Sequence, residues 1–481
     1  MSQLKKNVLY SLTLTFSRFF FPIITYPYIS RVLGPDKIGI LNFSENYSNY
    51  FVVLAALGIP LYGVREIAKI KHKPHLLNKT FTEISIIHLI SSLLCLAFYT
   101  ISIFTIPSLH EQLGINLLFG ANILINLVSF EWFLIGIEKF KLIALRSMIT
   151  KLIPIVLMFV LVKDEGDYII YQSLNTLAFL LNAVINIANI SRITTISFKE
   201  VNIKRHLPPL FTVFFSGAFI HFYSMMDSLV LGFVSNYKAV GFYATAIKLN
   251  KMICMVIASV GNVLVPRISN LIALNDTDQI ESVLRKSLLF TIFLTVPLAA
   301  GLYLLSPELI FILAGNDFEQ SIKASQILSP IIILMGLSNV FGIQLLLPYA
   351  REKELLKIFL TGTALSLFLN LILAKSYGYL GSSTATLLTE LILTAITFYF
   401  AKDIIKLSLP WKYFLGCILF SLLFFPLIHF IREMTEDHIS ILLYSLISCS
   451  SVYVGLQVLF FRHYFVDELL TFLRTMLLKK N

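Results

Sequence analysis

Charge is what this chain of 481 residues has least of: Asp, Glu, Lys and Arg together make up 14% of it. An ordinary soluble domain carries about 25%. With 57% hydrophobic residues and a mean hydropathy of +0.82, too little polar material remains to cover a surface facing water. That excludes a soluble enzyme, and it equally excludes disorder, which needs low hydrophobicity and high charge. Cysteine is also sparse. Cys95, Cys254, Cys417 and Cys449 lie far apart in apolar stretches, so no metal or redox pair is implied and they read as small buried hydrophobes. Also missing are a G-x-x-x-x-G-K-[ST] phosphate loop and any nucleophile–base constellation. No cofactor or metal is expected, and the chain does not read as an enzyme.

What is present is apolar length. A helix crossing a hydrocarbon core of roughly 30 Å needs about 20 mostly apolar residues. Runs of that kind fall at 9–29, 38–63, 82–106, 112–136, 144–162, 168–190, 207–233, 241–264, 287–306, 322–348, 356–374, 378–400, 411–431 and 439–461. The expected fold is an all-α integral membrane protein of about 14 transmembrane helices. The basic start MSQLKKN resembles that of a signal peptide, but no small-residue cleavage site follows. The first run therefore reads as a retained span.

Net charge is +11, which in a soluble protein would point to nucleic acid. Here the basic residues sort by loop instead. With the N-terminus inside, 27 of them fall in inner segments and six in outer ones: Arg31, Lys37, Lys163, Lys238, Lys375 and Arg432. Such asymmetry marks the cytoplasmic side. Both termini are expected there, and nucleic acid is not an expected partner.

A repeat runs through the chain. VLG at 32–34, Gly39 and VREI at 64–67 match VLG at 230–232, Gly241 and PRIS at 266–269. Gly39 to Arg65 and Gly241 to Arg267 have the same spacing. A parallel repeat of six helices predicts an N-terminal lobe over 1–200 and a C-terminal lobe over 201–406. Two added helices and a tail then occupy 407–481, and a central cavity lies between the lobes.

Some charges fall inside the runs. Arg18, Lys151, Lys248, Lys251 and Lys323 are the bases; Glu45, Glu131, Asp227 and Glu390 are the acids, with Glu83 at an edge. Each costs about 2.5–3.5 kcal/mol at a bilayer centre on insertion scales, unless it pairs or faces a cavity. Lys248 and Lys251 share a helix face. The expected cavity residues are Arg18, Glu45, Asp227, Lys248, Lys251 and Glu390, with Tyr47 and Tyr223 among the aromatics. Intralobe salt bridges are the rival reading of the charges, and interfacial belts of the aromatics. Lys151 and Lys323 read as snorkelling side chains, and Glu131, near Trp132, as an interfacial cap. A mildly positive cavity suits an anionic head group. Pro22, Pro27 and Pro60 mark candidate hinges.

The stretch PIITYPYISRVLGPDKIGILNFSENYSNYFVVLAALGIPLYGVREI, at 22–67, resembles the amino-terminal signature of Wzx-type oligosaccharide flippases. Its strongest pieces are YPYISRVLG at 26–34 and GIPLYGVREIA at 58–68. GFYATAIKLNKMICMVIASVGNVLVPRIS at 241–269 is similar to the family's span-8 region. The resemblance implies a fold shared with multidrug exporters and the lipid II flippase, two six-helix lobes in a V. It implies transfer of undecaprenyl-pyrophosphate-linked oligosaccharide repeat units to the outer leaflet of a bacterial inner membrane. The implied mechanism is alternating access coupled to an ion gradient, in O-antigen or capsule synthesis. A polysaccharide polymerase and a chain-length regulator are the implied protein partners. A multidrug or small-molecule exporter of the same superfamily is the alternative.

Overall fold

Among the described residues every regular element is helical and no strand forms. Hydrocarbon requires this, because a spanning segment must satisfy its backbone polar groups internally. The protein is described from a computed structural model. It covers residues 3–198, 201–405 and 409–478, without the side chains of 3–20, 216, 220, 260, 262–263 and 462–478. Among the described residues eleven helices are long and apolar enough to cross a membrane, or twelve with the bent pair Ile203–Phe219 and His221–Val234, set at 50°. The difference from the fourteen runs of the sequence lies partly in two helices of 50 residues, Phe21–Ile70 and Glu352–Ala401. Glycines of positive φ interrupt both: Gly34 (φ 67°) and Gly58 (φ 77°) the first, Gly378 (φ 57°) the second. Only glycine reaches that backbone region without a steric cost.

The chain divides into two compact units, the boundary falling between Gly241 and Phe242. The first contains α1 (Gln3–Ala56), α2 (Ile59–Ile70), α3 (Pro74–Thr105), α4 (Pro107–His110) and α5 (Leu113–Ser129). It continues with α6 (Glu131–Gly136), α7 (Phe140–Leu161), α8 (Tyr168–Ile190) and α9 (Leu207–Val234). Proline opens α2, α3, α4 and α9, where its missing N–H costs no hydrogen bond. Near the basic end of this unit Ile59, Tyr62, Ile67, Phe81, Trp132 and Phe133 form one buried cluster.

The helix α10 (Tyr237–Ala273) leads into the second unit. There follow α11 (Thr277–Leu304), α12 (Ser306–Ala314), α13 (Gln320–Leu328), α14 (Ile331–Ser338) and a π-helical turn, Asn339–Leu346. The chain ends with α15 (Glu352–Ala401), α16 (Trp411–Leu422), α17 (Phe424–Met434) and α18 (His438–Leu478). The core here joins α11 to α16, α17 and α18 through Leu288, Ile292, Tyr413, Cys417, Phe424 and Tyr453.

Candidate functional site

Helices in lipid gain little from apolar burial against each other, so close approach of backbones carries more of the packing. One close approach in the first unit joins Gly39 and Gly241, the two glycines matched in the sequence. A Cβ on Gly39 would lie 1.7 Å from the carbonyl oxygen of Tyr237, and one on Gly241 would lie 1.9 Å from that of Pro35. Each carbonyl stands four residues before the opposing glycine, so the crossing is reciprocal.

From this crossing a seam runs between α1 and α9. Phe43 fills the space beside Gly232 and stands edge-on to Phe233. Tyr47 contacts Phe233 and Tyr99 and donates its hydroxyl to Ser102 Oγ at 2.7 Å. Tyr50 stacks on Phe222 and donates to the Phe222 carbonyl at 2.8 Å. Asp227, buried on α9, lies within electrostatic reach of Tyr50.

In the second unit Tyr243 on α10 shares a 2.9 Å hydrogen bond with Thr386 on α15. Further along the same two helices, Lys251 and Glu390 both act electrostatically on the buried thiol of Cys254. The structure thus brings Lys251 and Glu390 to one place. Lys248 is half-buried on α10, one turn before Lys251. Beyond Glu390, Thr394 bonds Ser338 at 2.9 Å, just before the π-helical turn. There Gln344 accepts from Ser287 at 2.6 Å and donates to Asn339 at 3.1 Å.

The remaining expected residues are dispersed. Glu45 is exposed and lies towards Tyr171 on α8. It stands five residues from Tyr50, about 140° around the helix, so Glu45 and Asp227 lie on different sides of α1. Tyr223 is half-buried on α9. The side chain of Arg18 lies outside the described residues. Pro22 and Pro27 sit within continuous helix, while the break comes later, at Gly34. Pro60 is in the first turn of α2, after left-handed Leu57 and Gly58, and so starts a helix. Lys151 sits over the Phe21 ring at 5.9 Å, and Lys323 is exposed on α13.

Three ionic clusters were not anticipated. Arg146, one of the 27 bases counted in inner segments although it lies at the edge of the 144–162 run, is 4% exposed within α7. It bonds Asn186 and reaches Glu131 at 3.4 Å, so Glu131 is an ion-pair partner as well as a helix start. Glu308, 3% exposed at the start of α12, receives two hydrogen bonds from Arg432 at 2.8 and 2.9 Å. Glu83 is wholly buried and binds Asn202, Arg205 and His206. The available signal was an acid and a base each bordering an apolar run, but sequence spacing did not reveal which would meet.

These features define a multi-span, all-helical membrane protein with charged and hydroxyl-bearing residues inside its spans. The profile described as "Polysaccharide biosynthesis protein" matches residues 4–272, more than half of the chain, and the chain belongs to that family. A second profile, MatE, matches 213–374. The chain is similar to a protein of Escherichia coli K12 named "Putative O-antigen transporter". The two are 27% identical over 403 residues, covering 83% of this chain and 97% of that one. In fold it is similar to the lipid II flippase MurJ in an inward closed conformation. The TM-score is 0.72 at 19% identity, covering 95% of this chain and 99% of MurJ. A multidrug resistance transporter of the MATE family, inward-facing, gives a TM-score of 0.61 at 12% identity, covering 82% of this chain and 94% of that one.

Proposed function

We propose that the protein is a flippase that carries polyprenyl-pyrophosphate-linked oligosaccharide repeat units from the cytoplasmic to the outer leaflet of a bacterial inner membrane. The family match over 4–272, joined to the extent of the similarity to the O-antigen transporter, carries this reading. The lipid tail stays in the bilayer while the charged, hydrated head crosses, so no covalent step is needed. Repeat units delivered this way would feed O-antigen or capsule synthesis. A polysaccharide polymerase and a chain-length regulator are the protein partners this pathway calls for. Alternating access driven by an ion gradient is the mechanism.

The glycine breaks at Gly34 and Gly378 support reading each 50-residue helix as two spans. With the bent pair counted, that makes fourteen, arranged as lobes over 1–200 and 201–406 with two further helices in 407–481. Both termini are then cytoplasmic, since the basic residues gather at the ends joined by the inner loops. In this reading Arg18, Lys248 and Lys251 meet the diphosphate. Glu45, Asp227 and Glu390 balance the bases or bind the coupling cation. Tyr47 and Tyr223 contribute to the sugar-facing wall, and Pro22, Pro27 and Pro60 absorb the bending.

Purified protein in liposomes containing lipid-linked oligosaccharide tests the reading. Expected is transfer of head groups to the opposite leaflet, faster than in empty liposomes. Equal rates overturn it. The MatE match over 213–374 favours one second reading, a small-molecule exporter, which predicts efflux of organic cations by the same preparation.

A further inference from the structure

The segment that joins α8 to α9 also joins the two repeats, and it does not hang free. Thr194 donates to Asn78 Oδ1 at 2.7 Å, and Asn78 Nδ2 donates to Thr195 Oγ1 at 3.1 Å. The amide of Ser197 donates to Thr82 Oγ1 at 2.9 Å. Asn78, Thr82 and Glu83 occupy the first turns of α3, so the described residues on either side of 199–200 lie along that helix as a strap. The strap ends at Glu83, which accepts from the Asn202 amide at 2.7 Å and from Arg205, and lies 3.0 Å from His206 Nε2. The other ring nitrogen of His206 bonds the Tyr62 hydroxyl on α2 at 2.7 Å.

Glu83 is fully buried and His206 and Tyr62 nearly so, while Arg205 stays open to solvent. A buried carboxylate survives only when its charge is met by donors, and among the described residues its partners Asn202, Arg205 and His206 all belong to the strap. Remove the strap and Glu83 is left uncompensated. The carboxylate therefore fixes the strap, and the strap fixes the start of α9. Gly58 shows how tight that seat is: a Cβ there would lie 2.9 Å from the Phe214 amide and 3.0 Å from the Leu210 carbonyl.

We infer that Glu83 is a positioning residue that latches the linker, and the first helix of the second repeat behind it, onto α2 and α3. The latch is made and broken once in each transport cycle. Its making and breaking rests on the transport reading above; its existence does not. A substrate head entering at the basic end needs room between elements that this latch holds together. The exposed Arg205 guanidinium is the member of the cluster that an incoming anion meets first.

The latch is tested by limited trypsin digestion of purified protein, since Lys204 and Arg205 are tryptic sites within it. The wild-type protein resists cleavage at these two positions. Glu83→Ala is cleaved there at least tenfold faster at normal membrane abundance, and Glu83→Asp restores part of the protection. Equal cleavage of wild type and Glu83→Ala overturns the latch. Should Glu83→Ala fail to accumulate, Tyr62→Phe, which deletes one hydroxyl, supplies the same comparison with a smaller increase expected. Breaking during the cycle is tested by Thr82→Cys with Ser197→Cys. Oxidation of this pair stops head-group transfer and reduction restores it. Full transfer with the pair oxidised shows a static strap and overturns the cycle. Absence of transfer before oxidation instead counts against the transport reading, with the trypsin comparison unaffected.

Discussion

Gly39 and Gly241 each pack against the carbonyl four residues before the other, at the first turns of two helices that the sequence repeat pairs. Each glycine is seated against the backbone segment that carries the other. Neither backbone can withdraw without the other losing its seat.

Gly39→Ala and Gly241→Ala should each lower stability by about 1–3 kcal/mol, the usual cost of overpacking, because the obstructing atoms belong to the backbone. Gly166→Ala is the control, with nothing within 4 Å of its Cβ. Melting of the purified variants checks this: the first two shift downwards and the third does not. Val at either crossing position should prevent the two helices from closing at all.

Arg432→Ala leaves Glu308, whose side chain is 3% exposed, without its bidentate partner. Leaving a buried charge uncompensated costs about 3–5 kcal/mol, so this variant should accumulate poorly. Arg146→Ala should cost less, because the Glu131 side chain it leaves behind is 41% exposed and regains water. Thermal melting in detergent ranks the two.

Lys248→Ala, Lys251→Ala and Asp227→Asn should impair transport at near-normal abundance, by tenfold or more for Lys248. A normal transport rate in both lysine variants would remove the anionic-cavity assignment. Arg18→Ala belongs in the same series.

Asp437, just ahead of α18, accepts from the Ser440 amide at 2.9 Å and from its hydroxyl at 2.7 Å. These bonds hold its carboxyl below the usual range. A lowered folded value means the cap stabilises above the ordinary carboxylate pKa of about 3.9, and is lost as pH falls through the folded value. Asp437→Asn should therefore fray the start of α18 at neutral pH and differ little from wild type in strong acid. Hydrogen exchange of the Ile439 and Ser440 amides reads this out.

The helical class and most span positions were legible because hydrophobic length is a one-dimensional signal. At Gly34 and Gly378 the sequence separates two runs, 9–29 from 38–63 and 356–374 from 378–400, whereas the structure carries helix up to and beyond a single glycine of positive φ. Proline was legible as a marker but not in its role: Pro60 starts a helix, whereas Pro22 and Pro27 lie inside one. Among the site residues, Lys251 and Glu390 stand out in sequence as charges inside apolar runs, yet only the packing of α10 on α15 brings them to the same thiol. Arg146 and Glu308 were hidden for a different reason. Each lies at the edge of a run, where composition reads a buried charge as a loop charge.

The most direct measurement is the membrane face on which polyprenyl-linked oligosaccharides reside in the host after deletion of this gene. The account predicts repeat units accumulating on the cytoplasmic leaflet and cleared when the gene is restored, with their glycan then open to mass analysis. Normal turnover and intact surface polysaccharide, in a host with no second flippase, would contradict it.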